Sequence, residues 1–146
     1  MITRKALALV SLVFLLAGCN ITDQYYEEVE AVGKQIVADS KELPDVKDAF
    51  YEYEHGLDQG QQLQVYVTVP EASVSSASDQ LEEIARRDYW RGTWWTVSLN
   101  VNVFSDANPA VEGKWNHDKI VKSKKIEFDD PAALEKQYGP RPQKKK

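Results

Sequence analysis

From Trp94 to Phe104 the sequence alternates apolar and polar residues for longer than anywhere else in the chain. Trp95, Val97, Leu99, Val101 and Val103 take one parity and Thr96, Ser98, Asn100 and Asn102 the other. In an extended chain successive side chains point to opposite faces, so this period describes a strand with one face buried and one in water. Leu63-Gln64-Val65-Tyr66-Val67-Thr68-Val69 repeats the pattern and is stopped by Pro70. Half-buried strands are typical of antiparallel sheets, whereas strands covered on both faces read as continuous apolar runs. A sheet covered on one side needs helices to cover it.

Two segments fit that role. Tyr25, Val29, Val32, Ile36 and Leu43 form one helical stripe within Asp23 to Leu43, and Pro44 closes it. Ala77, Leu81, Ile84, Ala85 and Tyr89 form another, preceded by the N-cap-rich stretch Ser73 to Ser78 and running to about Trp90. Val46 to His55 alternates as a strand and joins Leu63 to Val69 through the turn residues Gly56 to Gly60. Trp115 to Phe128 is lysine-rich and reads as an edge strand, because Lys discourages pairing with another sheet edge. Pro131 to Tyr138 reads as a short Pro-initiated helix broken by Gly139 to Pro142, and Gln143 to Lys146 as the disordered end of a basic tail. The expected fold is α+β: a two-layer sandwich in the order α-β-β-α-β-β, with the helices on one face of a four-stranded antiparallel sheet. That arrangement resembles a permuted ferredoxin-like fold.

The 146 residues carry a formal charge of −5 and a single Cys. One Cys forms no intramolecular disulfide, and with only His55 and His117 beside it no Cys/His zinc cluster can be built. The first 18 residues differ from the rest in having no acids and a long apolar run. Arg4 and Lys5 precede Ala6 to Ala17, and small residues follow, which is the layout of an export signal. A dozen apolar residues fall short of the roughly 20 that span a bilayer core. Leu16-Ala17-Gly18-Cys19 at the end of this run resembles the lipobox of bacterial prolipoproteins. The resemblance implies a diacylglyceryl group on Cys19, cleavage by signal peptidase II between Gly18 and Cys19, and acyl chains such as palmitate as the membrane anchor. Without lipidation the same layout is an ordinary secretory signal with a chance Cys, or an uncleaved membrane helix. The expected organisation is a signal peptide over 1–18, a lipidated Cys and tether over 19–22, an α+β domain over 23–130, and a short helix with its tail over 131–146. Leu43-Pro44-Asp45-Val46, the hairpin and second helix, and Tyr138-Gly139-Pro140-Arg141-Pro142 together resemble small lipoproteins of actinobacteria, a group with no assigned activity.

Loss of the first 18 residues takes away Arg4 and Lys5 and leaves 128 residues of charge −7. The acids are concentrated early: Cys19 to Glu83 holds 15 acids and 3 bases, and Ile84 to Lys146 holds 8 acids and 13 bases. An acidic chain of this kind argues against nucleic acid as a partner. Catalytic patterns are sparse. There is no G-x-S-x-G elbow, phosphate loop or dinucleotide fingerprint, and the metal-ligand and cofactor assignments are none. The acidic pairs Glu27-Glu28, Glu82-Glu83 and Asp129-Asp130 consist of adjacent residues, which diverge on a helix. Glu127 with Asp129 and Asp130 offers too few oxygens for a dedicated calcium site.

The densest aromatic feature is Tyr89, Trp90, Trp94 and Trp95 around Arg91. Trp90, Trp94 and Arg91 are the candidate partner-binding residues, since outward Trp and Arg are common interface anchors. The competing reading is that the Trp residues close the end of the sandwich. Taken together, the sequence points to a non-catalytic lipoprotein at the extracytoplasmic side of the cell membrane. A Gram-positive surface is favoured, or the outer membrane in a Gram-negative cell. It would bind the membrane or an envelope protein or glycan. The alternatives are a small envelope hydrolase and a phage-exclusion or toxin-immunity lipoprotein.

Overall fold

The computed structural model describes residues 25–56 and 60–144. The signal segment, Gly18, Cys19 and the middle of the first hairpin turn lie outside the described residues. The elements are α1 (Glu27–Lys41), β1 (Asp48–Glu54), β2 (Gln62–Val69), α2 (Val74–Gly92), β3 (Ser98–Ser105), β4 (Lys122–Lys125) and α3 (Pro131–Tyr138). Short 3-10 turns at Glu71–Ser73 and His117–Lys119 precede α2 and β4. The class is α+β, as the alternating strands and helical stripes imply.

The sheet is mixed rather than antiparallel, which corrects the expected topology. Its order is β1-β2-β3-β4. β1 pairs antiparallel with β2, and β4 antiparallel with β3, but β2 and β3 run parallel in the register Gln62↔Ser98 to Val69↔Ser105. Among the described residues the order is α-β-β-α-β-β-α rather than α-β-β-α-β-β, since the short helix expected over Pro131 to Tyr138 is present as α3. The physical reason for the parallel pair is the connection. α2 spans 19 residues between β2 and β3, long enough to carry the chain back to the end where β2 began. Alternation reports which faces are wet and says nothing of strand direction.

α1 and α2 lie on one face of the sheet. Val29, Val32 and Ile36 of α1 and Ala77, Leu81, Ala85 and Tyr89 of α2 pack on Leu63, Val65, Val67, Leu99, Val101 and Val103. Each fully buried aliphatic side chain contributes about 1.5–3 kcal/mol relative to exposure. Gly33 faces the Tyr51 ring of β1, where a Cβ would meet ring carbons at 2.7–3.0 Å. The glycine lets the helix lie close on the sheet edge.

The second face is less open than alternation implies. Tyr66, Phe104 and Ala110 form a second buried cluster with Phe50 and Ile120 against it. The segment between β3 and β4 folds over that face, and Ala110 N donates to Thr68 Oγ1 at 3.1 Å. Asn102, expected in water, is 4% exposed. Its amide donates to Gln64 Oε1 at 3.0 Å and its Oδ1 accepts from Ser123 Oγ at 2.7 Å. A polar residue buried this way needs such partners, and Asn102 has them.

β4 is the lysine-rich edge strand, shorter than the Trp115 to Phe128 span. Ladder-like bonds at either end, Val121 N to Val103 O and Ile126 N to Leu99 O, both at 2.9 Å, continue its pairing. Trp115 falls outside it and is 85% exposed. Acids from the first half of the chain meet bases of the second across the molecule, as in Glu82 with Lys124 at 2.6 Å and the Asp39–Arg87 pair. No helix among the described residues is long and apolar enough to cross a membrane.

Candidate functional site

The Trp-rich junction lies where α2 ends and the chain turns toward β3. α2 stops at Gly92, after which Thr93 is extended and 1% exposed. Thr93 Oγ1 accepts from Trp95 N at 3.1 Å, tightening the turn. Tyr89 holds the following stretch. Its hydroxyl donates to Trp95 O at 2.9 Å and accepts from Val97 N at 2.9 Å, so one buried side chain satisfies two backbone groups with no strand partner there. Burial pushes the Tyr89 phenol up to about 12, with the Val97 N–H and Arg141 opposing the rise.

β3 begins at Ser98, so Trp94 and Trp95 precede the strand and its alternation does not orient them. Both are partly buried. Trp95 stacks on Tyr26, at the N-terminus of α1, with ring centroids 3.4 Å apart and planes 12° from parallel. Trp94 lies beside Trp95 at 4.0 Å. Trp90, by contrast, is 4% exposed. It packs with Leu134 and Tyr138 of α3, and its Nε1 donates to Gly139 O at 2.8 Å. Trp90 is therefore a core residue. The cause is α3, which covers the face of α2 that Trp90 occupies. Arg91 is exposed and its Nε donates to Tyr138 O at 3.0 Å.

The segment after α3 is tied to the same junction through Arg141. Asp130 caps α3 through Ala133 N at 3.0 Å, and Gly139 ends it at a positive φ of 87°. Arg141 then donates from Nε to Thr93 O and from a terminal nitrogen to Trp95 O, both at 2.8 Å. Its guanidinium lies 5.3 Å from the Trp90 ring centre, and Lys144 Nζ lies 5.2 Å from that of Trp94. Desolvation lowers the pKa of Arg141. The planar fork reaches two carbonyls at once, which a point-charge lysine does less well.

The remaining sequence candidates do not converge. His55 lies 5.3 Å from Tyr25 and 5.2 Å from Tyr53 in ring-centre distance, at the hairpin end. His117 stacks on Trp115 at 4.5 Å and meets the Tyr66 ring edge-on at 5.9 Å, beyond the other face. Glu82 sits between Arg86 and Lys124, whose hydrogen bonds hold its carboxyl below the usual range despite burial. Glu83 accepts from Tyr138 Oη at 2.6 Å. Among the described residues no group of three His, Cys, Asp or Glu side chains could hold a metal ion.

One charged cluster escapes a sequence reading because its members are 48 residues apart. Arg87 of α2 bridges Asp39 of α1 and its own neighbour Asp88, the latter from Nε to Oδ1 at 2.8 Å. The bridge sits between two open grooves along the helix pair, of about 520 and 680 Å³. Asp88 is 7% exposed, and its Oδ2 has no hydrogen-bond partner among the described residues. Burial raises its pKa, with Arg87 opposing and Asp39 assisting. The folded protein therefore holds this proton more tightly than the unfolded chain. Stability is lost as pH rises from the ordinary value of 3.8 through the raised folded one. Asp88→Asn removes that loss. Urea denaturation at about pH 3.5 and about pH 7 should show the variant gaining on the parent as pH rises. A difference independent of pH would contradict the raised value.

Compared with family models, curated proteins and solved structures, the chain matches none.

Proposed function

We propose that this protein is a lipid-anchored lipoprotein of the bacterial cell envelope that works without catalysis, by binding at short range from the membrane that holds it. The observation that carries this reading is Leu16-Ala17-Gly18-Cys19, placed directly after the apolar run and containing the chain's one Cys. A thioether at Cys19 leaves no free thiol in an oxidising compartment. One acyl chain anchors only marginally, whereas two or three together hold stably. Described structure starts at Tyr25, six residues beyond Cys19, which limits the separation of anchor and domain to about 21 Å. A domain so close to its anchor acts on what lies at the membrane surface.

The test is Cys19→Ala in the full chain, followed by membrane fractionation and intact-mass measurement. The parent should sediment with membranes and carry the mass of a diacylglyceryl group. The variant should lose both the modification and most of its stable membrane association. Unchanged association, or a parent of unmodified mass, would overturn the anchoring.

A further inference from the structure

The fold brings four aromatic residues, distant in sequence, to the end of the sandwich where the anchor enters. β1 finishes at this end and β2 and β3 begin here, as the pairs Glu54↔Gln62 and Gln62↔Ser98 record. The N-terminus of α1 meets the same end, with Tyr26 N donating to Tyr53 Oη at 3.3 Å. Tyr25 is 43% exposed, with its ring centre 5.8 Å from that of Tyr53. At the same end Tyr26 stacks on Trp95 at 3.4 Å, and Trp94 lies tilted by 33° against Trp95 at 4.0 Å. Lys144 flanks Trp94, and Arg141 fixes the backbone beneath it.

Rings of this kind, apolar in body and polar at one edge, are enriched at the headgroup level of bilayers. The segment left between the anchor and the described structure ends at Tyr25, which lies beside Tyr53 and next in sequence to Tyr26. We propose that Tyr25, Tyr26, Trp94 and Trp95 form a membrane-docking face that seats the domain on the lipid headgroup layer. The proposal rests on the lipid-anchored reading above. Acids (Glu27, Glu28, Glu54 and, beside Thr96 to Ser98, Glu127 and Asp129) and bases (Arg91, Lys125, Arg141 and Lys144) mix at this end, so no basic patch draws the domain to anionic lipid. The rings, rather than net charge, carry the contact. Anchor and docking face then act as two linked attachments, the second made intramolecular by the short tether. The domain takes one orientation: the Trp94 end down, and Trp115, which stacks on His117 against the second sheet face, clear of the lipid.

The full lipidated chain, reconstituted into vesicles of phosphatidylcholine and phosphatidylglycerol with shallow-brominated acyl chains, tests this by tryptophan quenching. The parent should be quenched. Trp94→Phe should lower the quenched fraction, and Trp115→Phe, which removes an emitter clear of the lipid, should raise it. Tyr25→Ser with Trp94→Ser should abolish quenching while the chain still floats with the vesicles. A floating parent that is not quenched, or quenching lost in Trp115→Phe, overturns the docking face and leaves the anchor standing. A parent that neither floats nor carries the lipid mass overturns the anchor instead.

Discussion

Replacing Trp90 by Ala should lower the unfolding free energy by about 3–5 kcal/mol, the range for removing a large buried aromatic side chain. Trp90 fills the space between α2 and α3 with Leu134 and Tyr138 around it. The substitution empties that space and also strips Gly139 O of its indole donor. Much of α3's contact with the domain passes through this one side chain, so undocking of α3 should accompany the loss. Faster tryptic cleavage after Lys136 would report it. Trp94→Ala, at a partly exposed position, should cost no more than about half as much. Urea denaturation of the two variants side by side measures the difference. Equal costs, or a larger cost at Trp94, would mean that Trp90 is not the buried member of the pair.

Gly92→Ala should cost about 1–3 kcal/mol, the usual range for overpacking a close contact. Gly92 is the last residue of α2, where the helix passes against Val32 of α1. A Cβ there would lie 2.3 Å from Val32 Cγ2, well inside van der Waals contact. Val32 is 3% exposed and β-branched, so its side chain has little room to turn away. One helix must move, and the stacked Tyr26 and Trp95 rings join that same pair, Tyr26 preceding α1 and Trp95 following α2. A double-mutant cycle with Val32→Ala isolates the clash. The double variant should be more stable than the sum of the two single losses implies, by about 1 kcal/mol or more. Strict additivity would mean that the helices do not approach as closely as described.

Legibility varied along the chain for identifiable reasons. The α2 stripe was readable because Ala77, Leu81, Ile84, Ala85 and Tyr89 all answer to one helical period, and all are buried. The α1 stripe was readable in its middle, at Val29, Val32 and Ile36, while its start shifts to Glu27 because Tyr26 takes the N-cap position without a side-chain cap. Pro131 marked the start of α3 by local chemistry alone. The length of β3 was overread, since Trp95 and Val97 keep the alternation but the backbone groups of Trp95 and Val97 bond to the Tyr89 hydroxyl instead of a strand. Trp90, Trp94 and Arg91 could not be sorted from spacing, because burial there depends on α3, more than 40 residues later. Arg141 looked like one more base in a basic tail. Its two carbonyl partners belong to a turn 46 and 48 residues earlier.

By itself the sequence determined what local physics decides: the period of each strand and helix, the stops at Pro44 and Pro70, the α+β class, and the lipobox-like residues on which the proposed anchor rests. Side-chain period and backbone restriction act over a few residues, so they leave a local trace. Only the tertiary structure decided that β2 and β3 run parallel, that a loop covers the second sheet face, that Trp90 is core, and that Tyr25, Tyr26, Trp94 and Trp95 share one end. Those outcomes depend on where a long connection returns and which surfaces meet across the molecule. Non-local contacts of that kind are made by packing and leave no period behind.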